Sequence, residues 1–567
     1  PTPINIYAIR SPRSPEAGRR LQTMAEVTTE THRTQGMSTA AVKIGVDCMT
    51  SSAFASAVEC GPPVGDHRAP DAITHRLARY GKSRCTDPPL CVDLDGTLVR
   101  SDLLVEGLLS ILTSRRALAA LPLLLTTDRA VLKHRVAEMD QLDAATLPYN
   151  QELLDYIVEE RARGRRTVLA TAADSRVAHA VADHLGLFDE VICSDGIRNL
   201  KGSRKAEALT ARFGRGNFAY AGNSREDVPI WSDACQALLV DTPRPVAAQV
   251  RAGAPIEREF ISLDSFWRTA VRALRPHQWA KNLLVFVPLV VGHAMTDAAG
   301  WASAIVMFVA FCLTASAIYL INDLLDIRAD RLHPTKRNRP LASGALRPSQ
   351  AVVMAVILLS GGLALANLVH GLLVVLLYAA LSLSYSVELK KWPLVDVFVL
   401  GGLYTLRVLG GGAATGQLVS MWLIAFTGFL FLALALVKRA EEIAAVARSD
   451  GARTASRRGY GPEDVGILIA FGCSASFASA VVLALFVGSE AALAQYATPE
   501  LLWGIVPLLL FWQCRLWLAT GRGYMHDDPI IYATRDWVSW VVAAVTVGLF
   551  AAATLDVPLA SLGILER

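Results

Sequence analysis

The sequence contains no CxxC pair, and its nine cysteines fall into no even, regularly spaced framework. That excludes a disulfide-stapled scaffold and a zinc site of the usual spacing, and it suits a reducing compartment for the soluble part. Charge is also sparse. Asp, Glu, Lys and Arg make up 19% of the 567 residues, against roughly 25% in an average soluble chain. The net charge of +4 is spread along the chain instead of gathered into a basic stripe, so no nucleic-acid partner is indicated. No signal peptide is legible: Ser52–Val58 is too weakly apolar for an h-region. The counterpart of these shortages is 53% hydrophobic residues and a mean hydropathy of +0.36. Together they exclude both a disordered scaffold and a wholly soluble enzyme.

The chain divides into three regions. Residues 1–88 are rich in Ser, Thr, Pro and Arg without periodicity, and are expected to form a disordered tail. Residues 89–266 read as a soluble α/β domain. Short apolar runs at Leu90–Leu94, Thr167–Ala170, Glu190–Cys193, Phe218–Ala221 and Ala237–Val240 alternate with amphipathic stretches such as Asn150–Arg163 and Lys205–Phe213. That alternation predicts a parallel, Rossmann-like sheet. Residues 267–567 differ in kind. A membrane-spanning helix needs ~20 mostly apolar residues. Nine segments qualify as candidates: 282–297, 301–321, 351–368, 370–387, 394–412, 419–437, 465–488, 501–519 and 537–555, of which the first is short and interrupted by Pro288. The expectation is an all-α membrane bundle of nine transmembrane helices.

Charge orients that bundle. Lys and Arg crowd the segment before the first span (Arg268, Arg272, Arg275, Lys281) and the links after spans two (Arg328 to Arg347), four (Lys390, Lys391), six (Lys438 to Arg458) and eight (Arg522, Arg535). The alternate links hold almost none. All basic loops therefore fall on one face, with the α/β domain. The expectation is an integral inner-membrane protein with that face cytoplasmic and the C-terminus opposite.

One stretch on this face carries chemistry. In Asn322-Asp323-Leu324-Leu325-Asp326-Ile327-Arg328-Ala329-Asp330 the polar residues Asn322, Asp323, Asp326 and Asp330 fall within an arc of roughly 100° on a helix. Carboxylates crowded in this way repel unless a cation joins them. Mg²⁺ takes oxygen ligands, is usually held by one or two carboxylates, and completes its shell with water and substrate phosphates. Lys336, Arg337 and Arg339 follow directly and suit the remaining phosphate charge.

This stretch resembles the first acidic motif, NDxxDxxxD, of the UbiA superfamily of intramembrane prenyltransferases, with the Pro-x-Lys-x-x-Arg-Pro-like tail matched by Pro334 to Pro340. The resemblance covers about 270–560. It implies a helical bundle with a central cavity, Mg²⁺-bound diphosphate at the cytoplasmic mouth with Asp323, Asp326 and Asp330 as ligands, and an isoprenoid chain toward the lipid. Arg275 to Asn282, Tyr385 to Lys391 with Asp396, Arg407, Lys438-Arg439 with Glu441, and Met525 to Pro529 look like the branch that includes decaprenyl-phosphate phosphoribosyltransferases. The DxxxD pair of quinone-type members is not evident; Tyr385, Lys390 and Asp396 stand where its equivalent is sought. The resemblance thus implies a 5-phosphoribosyl 1-diphosphate donor and a polyprenyl phosphate acceptor. It makes Asp323 and Asp326 catalytic, and Lys281, Asn322, Lys336, Arg339, Tyr385, Lys390, Asp396 and Arg407 substrate-binding. Arg407 reads equally well as one half of an ion pair inside the bundle. Asp527 and Asp528 are either further ligands or a turn before Pro529.

The α/β region holds a second pattern, Asp93-Leu94-Asp95-Gly96-Thr97-Leu98, after an apolar run. One carboxylate can attack phosphorus, a second can move the leaving-group proton, and Gly96 permits the tight turn that places both at a strand end. This resembles motif I of the haloacid dehalogenase superfamily. The resemblance implies Asp93 as nucleophile, Asp95 as acid–base group, Thr171 and Lys205 (with Lys201 as alternate) as phosphate-binding groups, and a Mg²⁺ site of Asp93, Asp95, Asn223 and Asp227. Asn223 stands where the motif usually has an acid. The combined expectation is a bifunctional membrane enzyme that forms a polyprenyl-phosphoryl phosphopentose and dephosphorylates it. The alternatives are prenylation of an aromatic or other small acceptor by a prenyl diphosphate, and a non-catalytic membrane scaffold with a degenerate phosphatase module.

Overall fold

The computed structural model describes residues 87–113, 128–140, 142–262, 265–448, 459–525 and 529–554. Nearly all of the expected tail, and the Asp527-Asp528 pair, lie outside the described residues.

Residues 90–260 form one six-stranded sheet from β1 (Leu90–Val92), β2 (Thr167–Asp174), β3 (Glu190–Ser194), β4 (Ala219–Gly222), β5 (Gln236–Val240) and β6 (Ile256–Phe260). The order is β3-β2-β1-β4-β5-β6, and each pairing is parallel. β1 is apolar throughout because both of its faces are covered. Leu90 and Val92 point into one buried cluster and Cys91 into the other. The winding reverses between β1 and β4, and the open crevice of such a sheet lies there, at the strand C-termini. The helices α1 (Leu103–Thr113), α2 (Arg129–Met139), α3 (Gln151–Ala162) and α4 (Ser203–Phe213) matter most for the site. β6 was not expected from sequence. Its segment Ile256-Glu257-Arg258-Glu259-Phe260 is mostly charged, as suits the outermost strand of a sheet, and Glu257 is anchored by Arg165.

The membrane region contains seven described helices long and apolar enough to cross a bilayer. They are α5 (Ala298–Leu325), then, beyond the short α6 (Ile327–Leu332), α7 (Pro348–Leu368), and after the 16-residue α8 (Leu372–Val387) come α9 (Val395–Thr415), α10 (Met421–Arg448), α11 (Val465–Val487), α12 (Ile505–Gly521) and α13 (Trp537–Thr554). Two of the nine expected transmembrane helices fall short of that length among the described residues. The segment 370–387 is helical but short. The first candidate is not a continuous helix: a 3₁₀ stretch, Pro276–Phe286, gives way to only five α-helical residues, Val287–Val291. Proline at both starts and Gly292 at the end prevent one long run. Large side chains such as Ile357, Leu373, Phe398 and Trp540 face outward, as lipid contact requires.

Glycine lets the broken segment pack inward. A Cβ at Gly411 on α9 would lie 1.9 Å from the Val285 carbonyl oxygen, and one at Gly410 would lie 2.6 Å from the Phe311 ring. Small residues of this kind bring helices and backbone into close approach.

The sheet domain sits on the end of the bundle that carries the acidic motif. Arg331 Nη2 and Nη1 donate to Glu106 Oε1 and Oε2 at 2.5 and 2.9 Å, and Arg328 pairs with Asp140. Gly344 lies so close to Arg100 that a Cβ there would be 2.7 Å from the Arg100 carbonyl oxygen. Leu109 joins the apolar cluster of Leu320, Leu324, Ile327 and Leu346.

Candidate functional site

Two groups of titratable residues stand out, one at the end of α5 and one at the crevice of the sheet.

α5 stops at Leu325, yet the helical hydrogen bonds continue through the kink: Asp326 N–H donates to Asn322 O and Asp330 N–H to Asp326 O. The predicted polar face therefore survives into α6. Asp323 is buried and receives Arg275 Nη2 at 2.5 and 2.8 Å on its two oxygens. Arg339 Nη1 bridges Asp323 Oδ1 at 3.1 Å and Asp330 Oδ2 at 2.6 Å. Lys390 Nζ donates to both oxygens of Asp326, at 3.0 and 3.2 Å. Three carboxylates on two turns thus meet three cations drawn from segments that are distant in sequence. Asn322 and Lys336 are half-buried in the same acidic segment and its loop, as is Tyr385 near the end of α8.

Lys281 is buried, with its ammonium 5.7 Å from the centre of the Tyr404 ring. Arg407 is held inside the bundle: its Nε donates to Asn282 Oδ1 at 2.7 Å and its Nη2 to the Tyr378 hydroxyl at 3.1 Å. Asp396 does not join the acidic group in hydrogen bonding. Its fully buried carboxylate pairs with Arg439 at 2.6 Å and accepts the Tyr460 hydroxyl at 2.6 Å, bracing the start of α9 against α10. Arg275, which grips Asp323, was not among the expected site residues. A run of Arg and Lys before a span gives no sign of which member turns inward. On the outward face, α8, α9 and α10 border an open apolar groove of about 530 Å³ lined by Leu377, Phe398, Gly402, Leu406 and Phe429.

The second group lies at the C-terminal ends of β1 and β4. Gly96 adopts φ +77°, and a Cβ there would meet the Asn223 amide at 2.2 Å, so the turn after Asp95 admits only glycine. Asp93 Oδ1 accepts Lys205 Nζ at 2.6 Å, while Asp95 Oδ1 accepts the Leu103 N–H at 3.1 Å. Burial, with Asp102 nearby, pushes the Asp95 carboxyl up to about 7. These groups border a cavity of about 530 Å³ together with Asn223, Lys133 and Arg129. Lys133 escaped the sequence reading because α2 carries no motif. Its ammonium donates to the Ala172 carbonyl at 2.6 Å, and burial lowers its pKa.

Two expected residues hold hydrogen bonds of their own. Thr171 is buried, and its hydroxyl accepts the Ala173 N–H at 2.9 Å, fixing the end of β2. Asp227 borders the cavity, but its oxygens are occupied. Oδ1 accepts the Tyr220 hydroxyl, and Oδ2 accepts two backbone N–H groups and the Ser224 hydroxyl. These bonds shape the loop after β4.

Among the described residues no three His, Cys, Asp or Glu side chains converge as a metal-holding group. Mg²⁺ does not require three. One or two carboxylates with water and phosphate oxygens suffice, so both oxygen-donor sets fit that ion chemically.

A family model described as the UbiA prenyltransferase family matches residues 285–527. The chain belongs to the UbiA prenyltransferase family. A haloacid dehalogenase-like hydrolase model matches residues 90–231, so a hydrolase-like domain precedes the UbiA region. Similar proteins carry one part or span both. An uncharacterised protein, y4nM, of Sinorhizobium fredii is 37% identical over 469 residues, 82% of this chain and 90% of its own length. The nodulation protein NoeC of Azorhizobium caulinodans is 37% identical over 279 residues, 48% of this chain and 89% of its own. The decaprenyl-phosphate phosphoribosyltransferase of Corynebacterium glutamicum is 38% identical over 198 residues, 34% of this chain and 60% of its own. The UbiA assignment and the apolar helices make this an integral membrane protein and a transferase by family.

Proposed function

We propose that the UbiA region transfers 5-phosphoribose from 5-phosphoribosyl 1-diphosphate to a polyprenyl phosphate, and that the hydrolase-like domain removes the 5-phosphate from the product. The observation that carries this reading is the convergence of Asp323, Asp326 and Asp330 with Arg275, Arg339 and Lys390 at one end of α5. Carboxylates and cations interleaved in this way suit a divalent ion and a diphosphate together. The resemblance to a decaprenyl-phosphate phosphoribosyltransferase supports the choice of donor.

In the transfer, an oxygen of the lipid phosphate attacks C1 of the ribose. The bond from C1 to the diphosphate oxygen breaks, and pyrophosphate leaves. Asp323 and Asp326 would hold Mg²⁺, which when bound neutralises charge building on the departing pyrophosphate. Arg339 and Lys390 hold the diphosphate oxygens, with Lys336 beside them. Lys281 lies deeper and takes the lipid phosphate, while the prenyl chain occupies the apolar groove between α8, α9 and α10. Asn322 and Tyr385 orient the sugar. Arg407, Asn282 and Tyr378 brace the cavity wall. In the hydrolase-like domain Asp93 attacks the phosphorus, Asp95 protonates the departing oxygen, and water, deprotonated by Asp95, then displaces Asp93 from phosphorus to release phosphate; Lys205 steadies the phosphoryl group. Asp93, Asp95 and Asn223 would hold a second Mg²⁺. The Lys and Arg bias of the loops supports a cytoplasmic location for both sites.

The test supplies purified protein with labelled 5-phosphoribosyl 1-diphosphate, polyprenyl phosphate and Mg²⁺. A lipid-linked pentose, first phosphorylated and then not, is expected by mass. A prenylated small acceptor formed from a prenyl diphosphate, with no pentosyl lipid, would overturn the donor assignment.

A further inference from the structure

The hydrolase-like cavity is not closed by its own domain. Arg347 and Ser349, at the start of α7 in the UbiA region, line it together with Asp93, Asp95 and Lys205. A Cβ at Gly96 would lie 3.6 Å from Arg347 Nη2, so the guanidinium reaches the turn that carries Asp95. Three other cations of the cavity wall have partners at hand: Lys205 on Asp93 and Lys201 on Glu226, and Lys133 on the Ala172 carbonyl; Arg129, the remaining one, is exposed at the start of α2. No ion pair holds Arg347 among the described residues, and it is half-buried. The contact that delivers it is built. Gly344, three residues earlier, is pressed against the Arg100 backbone, and the Arg331–Glu106 pair is almost wholly buried.

Position fixes what such a group does. Asp93 and Lys205 mark the phosphoryl end of the cavity, and Asp95 marks the side from which the alcohol departs. Arg347 stands near Gly96, the residue after Asp95, with Asn223 against the same turn; in the proposed mechanism the alcohol departs on the Asp95 side. A guanidinium there presents a planar fork suited to a phosphate oxygen pair. The first turn of a 21-residue helix adds the positive end of its dipole.

We infer that Arg347 is a specificity residue of the hydrolase-like site, contributed by the membrane region, which selects phosphomonoesters whose alcohol carries a second phosphorus-based anion. A sugar phosphate joined through a phosphodiester to a lipid belongs to that class. This rests on the phosphatase half of the proposed function and adds its substrate class.

The test uses the full-length protein in detergent with two soluble probes: ribose 1,5-bisphosphate, which carries the second anion, and p-nitrophenyl phosphate, which does not. The wild type is expected to favour the bisphosphate. In Arg347→Ala that preference should collapse by on the order of tenfold or more, through KM and not kcat, since one charge-assisted bidentate contact is lost. Arg347→Lys, which keeps the charge and loses the fork, should fall between. Equal losses on both probes, or a wild type without preference for the bisphosphate, overturn the inference while leaving a phosphatase. Hydrolysis of neither probe by the wild type overturns the phosphatase reading and this inference with it. Thermal midpoints of both variants matching the wild type show that the fold is intact, and the Lys variant carries the comparison if the Ala variant unfolds.

Discussion

At the scale of single residues, Asp93 and Asp326 separate the two proposed chemistries. Asp93→Asn keeps volume and hydrogen bonding to Lys205 but removes the nucleophilic charge, so phosphate release should be abolished while pentosyl transfer continues. Quantifying phosphate and lipid-linked pentose in one reaction checks this; loss of both products would mean the sites are not separate. Asp326→Ala leaves Lys390 without its carboxylate and removes a ligand for the ion. Transfer should fall by about 10²-fold or more, on the scale of losing one electrostatic catalytic group. Chelating Mg²⁺ with EDTA should abolish transfer in the wild type, and adding Mg²⁺ back should restore it. Asp323, Asp326 and Asp330 were legible because their spacing repeats on a helix. Asp396 looked alike on paper, but its fully buried carboxylate is consumed by Arg439 and Tyr460. Sequence does not show which of two acids a distant arginine has reached.

At the scale of elements, the glycines of α9 and α10 offer a contrast. Gly411→Ala places a methyl 1.9 Å from a backbone oxygen that has no freedom to turn aside. The broken segment would be forced off α9 at a cost of about 1–3 kcal/mol, read as a lower thermal midpoint in detergent. Gly428→Ala on α10 meets nothing within 4 Å. It should be neutral or stabilise by up to ~1 kcal/mol through helix propensity. Five of the six strands were legible as apolar runs, because both faces of a parallel sheet are buried. β6 was not, because three of its five residues are charged and break the apolar run. The break in the first span was legible at Pro288, because proline cannot continue a helix; the 3₁₀ form of Pro276–Phe286 was not, because hydropathy does not separate helix types.

At the scale of the whole molecule, the junction between hydrolase-like and UbiA regions is a set of ion pairs. Arg328 and Arg331 read in the sequence as ordinary positive loop charges. In the fold they meet Asp140 and Glu106. Arg331 and Glu106 are only 5% and 1% exposed, so removing one partner strands the other. Glu106→Ala should cost about 3–5 kcal/mol, whereas replacing both with apolar residues of similar volume recovers most of that. Denaturant unfolding of the two single variants and the Glu106→Leu/Arg331→Met double variant tests the coupling; additive losses would mean the pair does not act as a unit.

What the sequence determined by itself was local and periodic. Apolar length marked membrane helices, alternation marked the parallel sheet, and short-range spacing marked the acidic and DxDGT motifs, because each depends on neighbours within a few residues. What only the tertiary structure decided was partnership. Arg275 closing on Asp323, Asp396 withdrawn into a pair with Arg439, and Arg347 entering the cavity of the other domain are contacts between residues tens to hundreds of positions apart. They depend on how helices and sheet dock, and docking is set by shape and buried charge that leave no repeating pattern along the chain.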